Sequence, residues 1–102
     1  MSYERIDFAG INRAALSALP GLLARWLPGG RRHGREYITR NPTRSDRRAG
    51  SFAINVTTGR WADFATGDRG GDVVSLAAYL FGLQQGEAAR RLAEMLGVKE
   101  AL

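Results

Sequence analysis

The chain has 102 residues, no cysteine and a formal net charge of +5 at pH 7. This length predicts a single domain, 1–102, with a modest core, and the lack of thiols excludes disulfides and cysteine-ligated zinc. No apolar stretch reaches the roughly 18 residues of a membrane helix, and the N-terminus lacks the pattern of a signal peptide. We therefore expect a cytoplasmic protein with no membrane partner.

The basic residues are concentrated in the middle of the chain. Residues 25–70 contain ten Arg, no Lys and four acidic residues, which gives this segment a net charge of +6. Guanidinium groups bind phosphate oxygens and stack on bases, so this distribution favours a polyanionic partner. An arginine bias inherited from a GC-rich genome is the alternative explanation.

Two short helices are predicted in the N-terminal segment, 1–30. Apolar residues recur at helical spacing from Ile11 to Leu27, and Asn12 is a candidate N-cap. Pro20 lies within this pattern, where it either begins a second helix or kinks a single one. The run Pro28-Gly29-Gly30 predicts the end of the segment.

A ribbon of three strands is predicted over residues 35–66. Polar and apolar residues alternate across Glu36–Arg40, which indicates a strand, and an arginine-rich loop follows it. The runs SFAINV and RWADFA also alternate, and a short turn that contains Gly59 separates them. They therefore predict a β-hairpin.

A helix pair is predicted over residues 70–98. The run DVVSLAAYLFGL is strongly apolar, and QQGEAARRLAEMLGV carries one apolar stripe that ends at Gly97. Together the elements predict an α+β fold: a small antiparallel three-stranded sheet packed with short N-terminal helices and two C-terminal helices.

The glycine-rich turn GDRGGD connects the ribbon to these helices. A phosphate-binding loop of the Walker type would place Lys and Ser or Thr at the start of the helix, but this turn supplies Asp68 and Asp72. We interpret Asp72 as a helix N-cap and the glycines as a tight turn. No metal-loop spacing or pair of nucleophile and base is recognisable, so we expect no catalytic residue, no cofactor, no bound metal and no small-molecule substrate.

Four motifs carry a resemblance to a known family. The runs NPTR, GSFAINV, GGDVVSLAAYL and EAARRLAEMLGV, in this order, resemble the N-terminal zinc-binding domain of bacterial and phage replicative primases, over roughly residues 35–98. The resemblance implies a zinc-ribbon-like sheet, with the family's four zinc-ligand positions at Asn41, Arg44, Asp63 and Thr66. These side chains are poor zinc ligands as a set, so the chain resembles a degenerate form without zinc.

In such a form, other interactions must hold the ribbon to the helices. We expect aromatic packing against the C-terminal helices and an Arg44–Asp63 salt bridge across the former zinc site. The aromatic residues expected in this packing are Tyr37, Phe52, Trp61 and Phe64.

The resemblance also implies a function. The family uses this domain to recognise single-stranded template DNA beside a separate catalytic domain, so we expect a non-catalytic DNA-binding module of a phage- or plasmid-type primase or primase–helicase. Arginines that contact phosphates and rings that stack on bases fit such a partner. The candidate phosphate contacts are Arg35, Arg40, Arg47, Arg48 and Arg60, with Arg31 and Arg32 at the edge, and the candidate stacking residues are Tyr37 and Trp61.

Three alternatives remain open on the sequence. Tyr37 and Trp61 can be core residues instead of stacking residues. The domain can have lost DNA binding together with zinc, and can dock on a primase or helicase catalytic domain through its apolar N-terminal helices. A magnesium-dependent hydrolase or nuclease that uses the acids near Asp63 is the third.

Overall fold

The computed structural model describes residues 5–43 and 51–102, and these form an α+β fold with one antiparallel sheet. Its elements in chain order are α1 (Phe8–Ser17), α2 (Leu19–Trp26), β1 (Arg31–His33), β2 (Glu36–Thr39), β3 (Phe52–Asn55), β4 (Trp61–Asp63), β5 (Arg69–Gly70), α3 (Val73–Phe81) and α4 (Gln85–Leu96). The predicted helices are present at both ends of the chain. The sheet has five strands in the described residues, so the prediction of three was wrong.

The sheet is a meander in which each strand pairs with its neighbours in sequence, in the order β1-β2-β3-β4-β5. The predicted hairpin is β3 with β4, where Ile54 lies opposite Trp61. The unpredicted strands are the two edges. β1 consists of Arg and His and β5 of Arg and Gly, so neither has the apolar alternation by which a strand is recognised.

One face of the sheet packs against the helices. Phe52, Ile54 and Trp61 on this face are buried in the same core as Val73 and Leu76 of α3. Helix α1 packs against both α3 and α4, and most apolar residues of α1 and α2 are buried or partly buried in this core, whereas Phe8 is 40% exposed. The N-terminal helices therefore bury most of their apolar stripe within this chain.

The helix ends agree with the sequence in three places and differ in one. Pro20 lies in the first turn of α2, Gly97 ends α4 with a φ of 68°, and the Asp72 carboxylate caps α3 by accepting the Ser75 N–H at 2.8 Å. The predicted N-cap Asn12 lies inside α1, which is capped by Asp7. The Asn12 Oδ1 atom instead accepts the backbone N–H of Val74 at 2.9 Å, so this residue caps the first turn of α3. No helix of the described ranges has both the length and the apolar character needed to cross a membrane.

The glycines of the turn between ribbon and helix have two different structural roles. Gly67 has a φ of +85°, a conformation that favours glycine. Gly70 allows a close approach, because a Cβ atom there would lie 2.4 Å from the Trp61 Nε1 atom and from the Ser75 Oγ atom. At these two positions the turn requires glycine for its shape.

Candidate nucleic-acid interface

The second face of the sheet carries a row of residues that crosses all five strands. Cross-strand pairing aligns Arg31, Ile38, Ala53, Ala62 and Arg69. Because side chains alternate along a strand, this row lies on the face opposite the core residues. Two alanines with small side chains lie near its centre, and an arginine lies at each edge. With neighbouring strands about 4.8 Å apart, the two arginines are about 19 Å apart.

Further polar residues lie at one end of this face. His33, Glu36 and Asn55 form the neighbouring row, and the Asn55 N–H donates to the Arg60 carbonyl at 2.7 Å. At the opposite end, Phe64 follows β4 and is 75% exposed. We call the surface formed by these two rows and Phe64 the open face. A groove of about 750 Å³ lies on it, and its lining includes Glu36, Asn55, Arg60, Ala62, Phe64 and Arg69.

The arginines of the open face are available to a ligand. Arg31, Arg60 and Arg69 are exposed, and within the described ranges no hydrogen bond or ion pair occupies their guanidinium groups. Together with the exposed ring of Phe64, they surround a floor formed by Ile38, Ala53 and Ala62. This arrangement can hold phosphates at the arginines while a base lies against the floor or the ring.

Three other predicted phosphate contacts are among the described residues, and they lie on or next to the same sheet. Arg35 is exposed in the turn between β1 and β2, and Arg40 is exposed directly after β2. Arg32 is exposed on β1, where its Nε atom donates to the Gly34 carbonyl at 2.9 Å. Arg47 and Arg48 lie outside the described residues.

The two predicted stacking residues lie on the core side of the sheet. Trp61 is 6% exposed, and its Nε1 atom donates to the Ser75 Oγ atom at 2.9 Å. Tyr37 is half-buried, and its hydroxyl donates to the Leu27 carbonyl and accepts the Gly30 N–H. Both therefore lie on the core side of the sheet, as expected if they are core residues instead of stacking residues.

Phe64 is the exposed ring of the ribbon, and the expectation that it packs in the core was wrong. The sequence did contain a signal for this position. Trp61 and Asp63 of β4 are buried, so strict alternation places Ala62 and Phe64 on the open face. Phe64 therefore lies on the same face as Ala62, opposite Trp61.

A group of hydrogen-bonded polar side chains, two of them buried, lies between the sheet and α3. The Asn41 Nδ2 atom donates to the Asp63 Oδ2 atom at 2.7 Å and to the Tyr79 hydroxyl oxygen at 2.8 Å. The Tyr79 hydroxyl in turn donates to the Asp68 Oδ2 atom at 2.8 Å. Asn41 is 2% exposed and Asp63 is fully buried. We call these four residues the polar cluster, which joins the ends of β2 and β4 to α3.

The polar cluster contains two of the four positions that the resemblance aligned with zinc ligands. Asn41 and Asp63 are in direct contact, while Thr66 is exposed, and its Oγ1 atom accepts the Asp68 N–H at 3.2 Å. Arg44 lies outside the described residues, so its salt bridge with Asp63 stays a prediction. An amide and a hydroxyl do not suit a structural zinc ion, and no three His, Cys, Asp or Glu residues within 5–43 and 51–102 are grouped to hold a metal.

Tyr79 is the member of the cluster that the sequence did not indicate. It lies in an apolar helix, and its ring packs against Trp61 with centroids 4.5 Å apart. Its hydroxyl reaches residues that are 11 and 38 positions away in the chain. No local pattern encodes such a contact.

The sequence matches no protein-family model, and no curated protein is significantly similar to it. The resemblance to the primase domain therefore depends on the four motifs and their order.

Proposed function

We propose that this chain is a zinc-free relative of the primase zinc-binding domains and binds single-stranded DNA on its open face, as a non-catalytic module of a replication protein. The observation that carries the proposal is the row that runs from Arg31 across Ala53 and Ala62 to Arg69, with Phe64 beside it. Its charge is complementary to a phosphate backbone.

A single strand suits this surface better than a duplex. The exposed Phe64 ring can stack only on a base whose face is accessible, and the bases of a duplex stack on one another. Phosphate contacts from the edge arginines would give affinity with little dependence on sequence.

The polar cluster supports the proposed relationship to a zinc domain. A structural zinc ion ties chain segments together and contributes folding free energy. The hydrogen bond from Asn41 to Asp63 joins residues 22 positions apart, at two positions aligned with the ligands. A buried hydrogen bond to a charged group contributes about 1.5–3 kcal/mol, so this bond can help to stabilise the same junction without a metal.

DNA binding is tested by fluorescence anisotropy with a labelled 12-nucleotide oligothymidine at about 50 and 200 mM salt. We expect salt-sensitive binding by the parent chain. A variant with Arg60→Ala and Arg69→Ala should bind more weakly. The slope of the logarithm of its binding constant against the logarithm of the salt concentration should be less steep by about 1.4, which is about 0.7 for each lost phosphate contact.

The matched control removes the same charge from the helices, through Arg13→Ala and Arg90→Ala. Both arginines are exposed on α1 and α4. The proposal fails if the parent chain does not bind at 50 mM salt, or if this control weakens binding as much as the open-face variant.

A graft of the zinc site tests the relationship to the family. We expect that cysteine and histidine at the aligned positions restore tetrahedral metal binding, detected by the visible absorption of bound Co²⁺. A matched variant that keeps Thr66 should bind Co²⁺ more weakly. If the complete graft does not take up Co²⁺, the alignment is wrong. The grafted substitutions are Asn41→Cys, Arg44→His, Asp63→Cys and Thr66→Cys.

A docking role for the domain is the competing proposal. The N-terminal helices bury most of their apolar residues in this chain's own core, but Trp26 of α2 is only partly buried. An apolar groove of about 370 Å³ does exist, and Trp26, Phe81, Leu83 and Met95 contribute to its lining. Docking of a primase or helicase catalytic domain would use this groove, so Phe81→Ser would impair it while leaving DNA binding unchanged.

A further inference from the structure

One acidic side chain lies within the basic open face. Glu36 lines the groove together with Arg60 and Arg69. Within the described ranges, no hydrogen bond or ion pair engages its carboxylate. A carboxylate repels phosphates, so the backbone of a bound strand would avoid this point. A base edge with hydrogen-bond donors is the part of a nucleotide that would suit it.

Asn55, the cross-strand partner of Glu36, offers a donor beside this acceptor. The Asn55 Oδ1 atom accepts the backbone N–H groups of Thr57 and Thr58, at 2.8 and 3.1 Å, which fixes the orientation of the amide. Its Nδ2 group therefore remains as a donor with no partner in the described residues.

The backbone pairing brings these two side chains together. The Val56 N–H donates to the Arg35 carbonyl. Val56 follows Asn55 and Arg35 precedes Glu36, so the hydrogen-bonded pair is the one next to Glu36 and Asn55. Glu36 and Asn55 are therefore a pair of the non-hydrogen-bonded type, in which the Cα atoms are about 4.5 Å apart and the side chains approach most closely. The site presents the two oxygens of the Glu36 carboxylate as acceptors, next to the Asn55 amide group as a donor.

Guanine matches this arrangement better than the other bases. Its Watson–Crick edge places two donors, N1–H and the N2 amino group, side by side, with the O6 acceptor next to them. A carboxylate can accept both donors at once, as it does from an arginine fork. Cytosine and adenine place a ring acceptor beside their single amino group, and thymine has one N–H between two carbonyls.

We propose that Glu36, with Asn55, makes the open face selective for an unpaired guanine. This inference rests on the proposed DNA-binding function. Glu36 is then a specificity residue, and the arginines supply affinity that does not depend on the base.

The experiment uses the full chain and labelled oligothymidines of 12 nucleotides in which the central thymidine is retained or replaced by dG, dC, dA or deoxyinosine. Deoxyinosine lacks only the N2 amino group of guanine. We expect the dG strand to bind about tenfold more tightly than the unsubstituted strand. A side chain that makes two hydrogen bonds to one base gives discrimination of about this size in other protein–DNA complexes. The deoxyinosine strand should lose most of that preference.

Glu36→Gln should abolish the preference for dG, because an amide offers a single acceptor, and should leave binding of the unsubstituted strand equal or stronger. The matched control is Glu94→Gln, which removes the same charge from an exposed position on α4 and should keep the preference. Equal binding of dG and deoxyinosine strands, or a preference that survives Glu36→Gln, overturns the inference alone. Failure to bind any of the strands overturns the proposed function as well.

Discussion

Replacement of Asn41 by alanine tests whether the polar cluster holds the ribbon to α3. The Asn41 amide donates to the fully buried Asp63 carboxylate at 2.7 Å, and Asn41 itself is 2% exposed. Asn41→Ala removes this donor from the buried carboxylate. We therefore expect a loss in the free energy of unfolding.

The magnitude follows from the individual contacts. A hydrogen bond to a charged group contributes about 1.5–3 kcal/mol. The bonds from Thr43 to the Asn41 Oδ1 atom are partly exposed, so water can replace them at little cost. Tyr79 keeps its bond to Asp68. The expected loss is therefore about 2–3 kcal/mol, or roughly 10–20 °C in the melting temperature of a domain of this size.

Urea denaturation followed by far-ultraviolet circular dichroism measures this loss. Thr66→Ala is the matched control, because Thr66 occupies another aligned ligand position but is exposed, and it should change stability by less than about 0.5 kcal/mol. Equal stability of Asn41→Ala and the parent chain would refute the reasoning. So would a loss of similar size in the control, because burial would then not be the cause.

Two further predictions concern packing and capping. Gly70→Ala should destabilise the fold by about 1–3 kcal/mol, because its Cβ atom would overlap the side chain of Trp61, whereas Gly71→Ala meets open space and should be nearly neutral in the same urea titration. Asn12→Ala should lower the free energy of unfolding by about 1 kcal/mol, because it removes the acceptor of the Val74 N–H in the first turn of α3. Its neighbour Arg13 is exposed, and a smaller effect of Asn12→Ala than of Arg13→Ala in thermal unfolding would contradict the capping role.

Elements with a long or regular pattern were predictable from the sequence. The β3–β4 hairpin follows from the alternation of Phe52 and Ile54, and the end of α4 follows from Gly97. The edge strands were missed because two or three charged and glycine residues carry no periodicity. Their position as strands depends on hydrogen bonds to β2 and β4.

The candidate site was predictable only in its charge. The excess of arginine indicated a polyanion, but the row that joins Arg31 to Arg69 depends on register across five strands. Asn12 shows the same limit for capping, because the helix that it caps lies 62 residues further along the chain. Contacts of this kind are properties of the tertiary fold.

The contrast between the sheet and α1 has a consequence for synthesis on the ribosome. Each strand pairs with its neighbours in sequence, so the sheet can form as its residues emerge, but α1 packs on α3 and α4. At about 5–20 residues per second, several seconds separate the emergence of α1 from that of α3. During this interval Ile11 and Ala15 lack their final partners. A nascent chain that ends near residue 70 should therefore be cleaved readily within α1 by added protease, and extension beyond α4 should protect it.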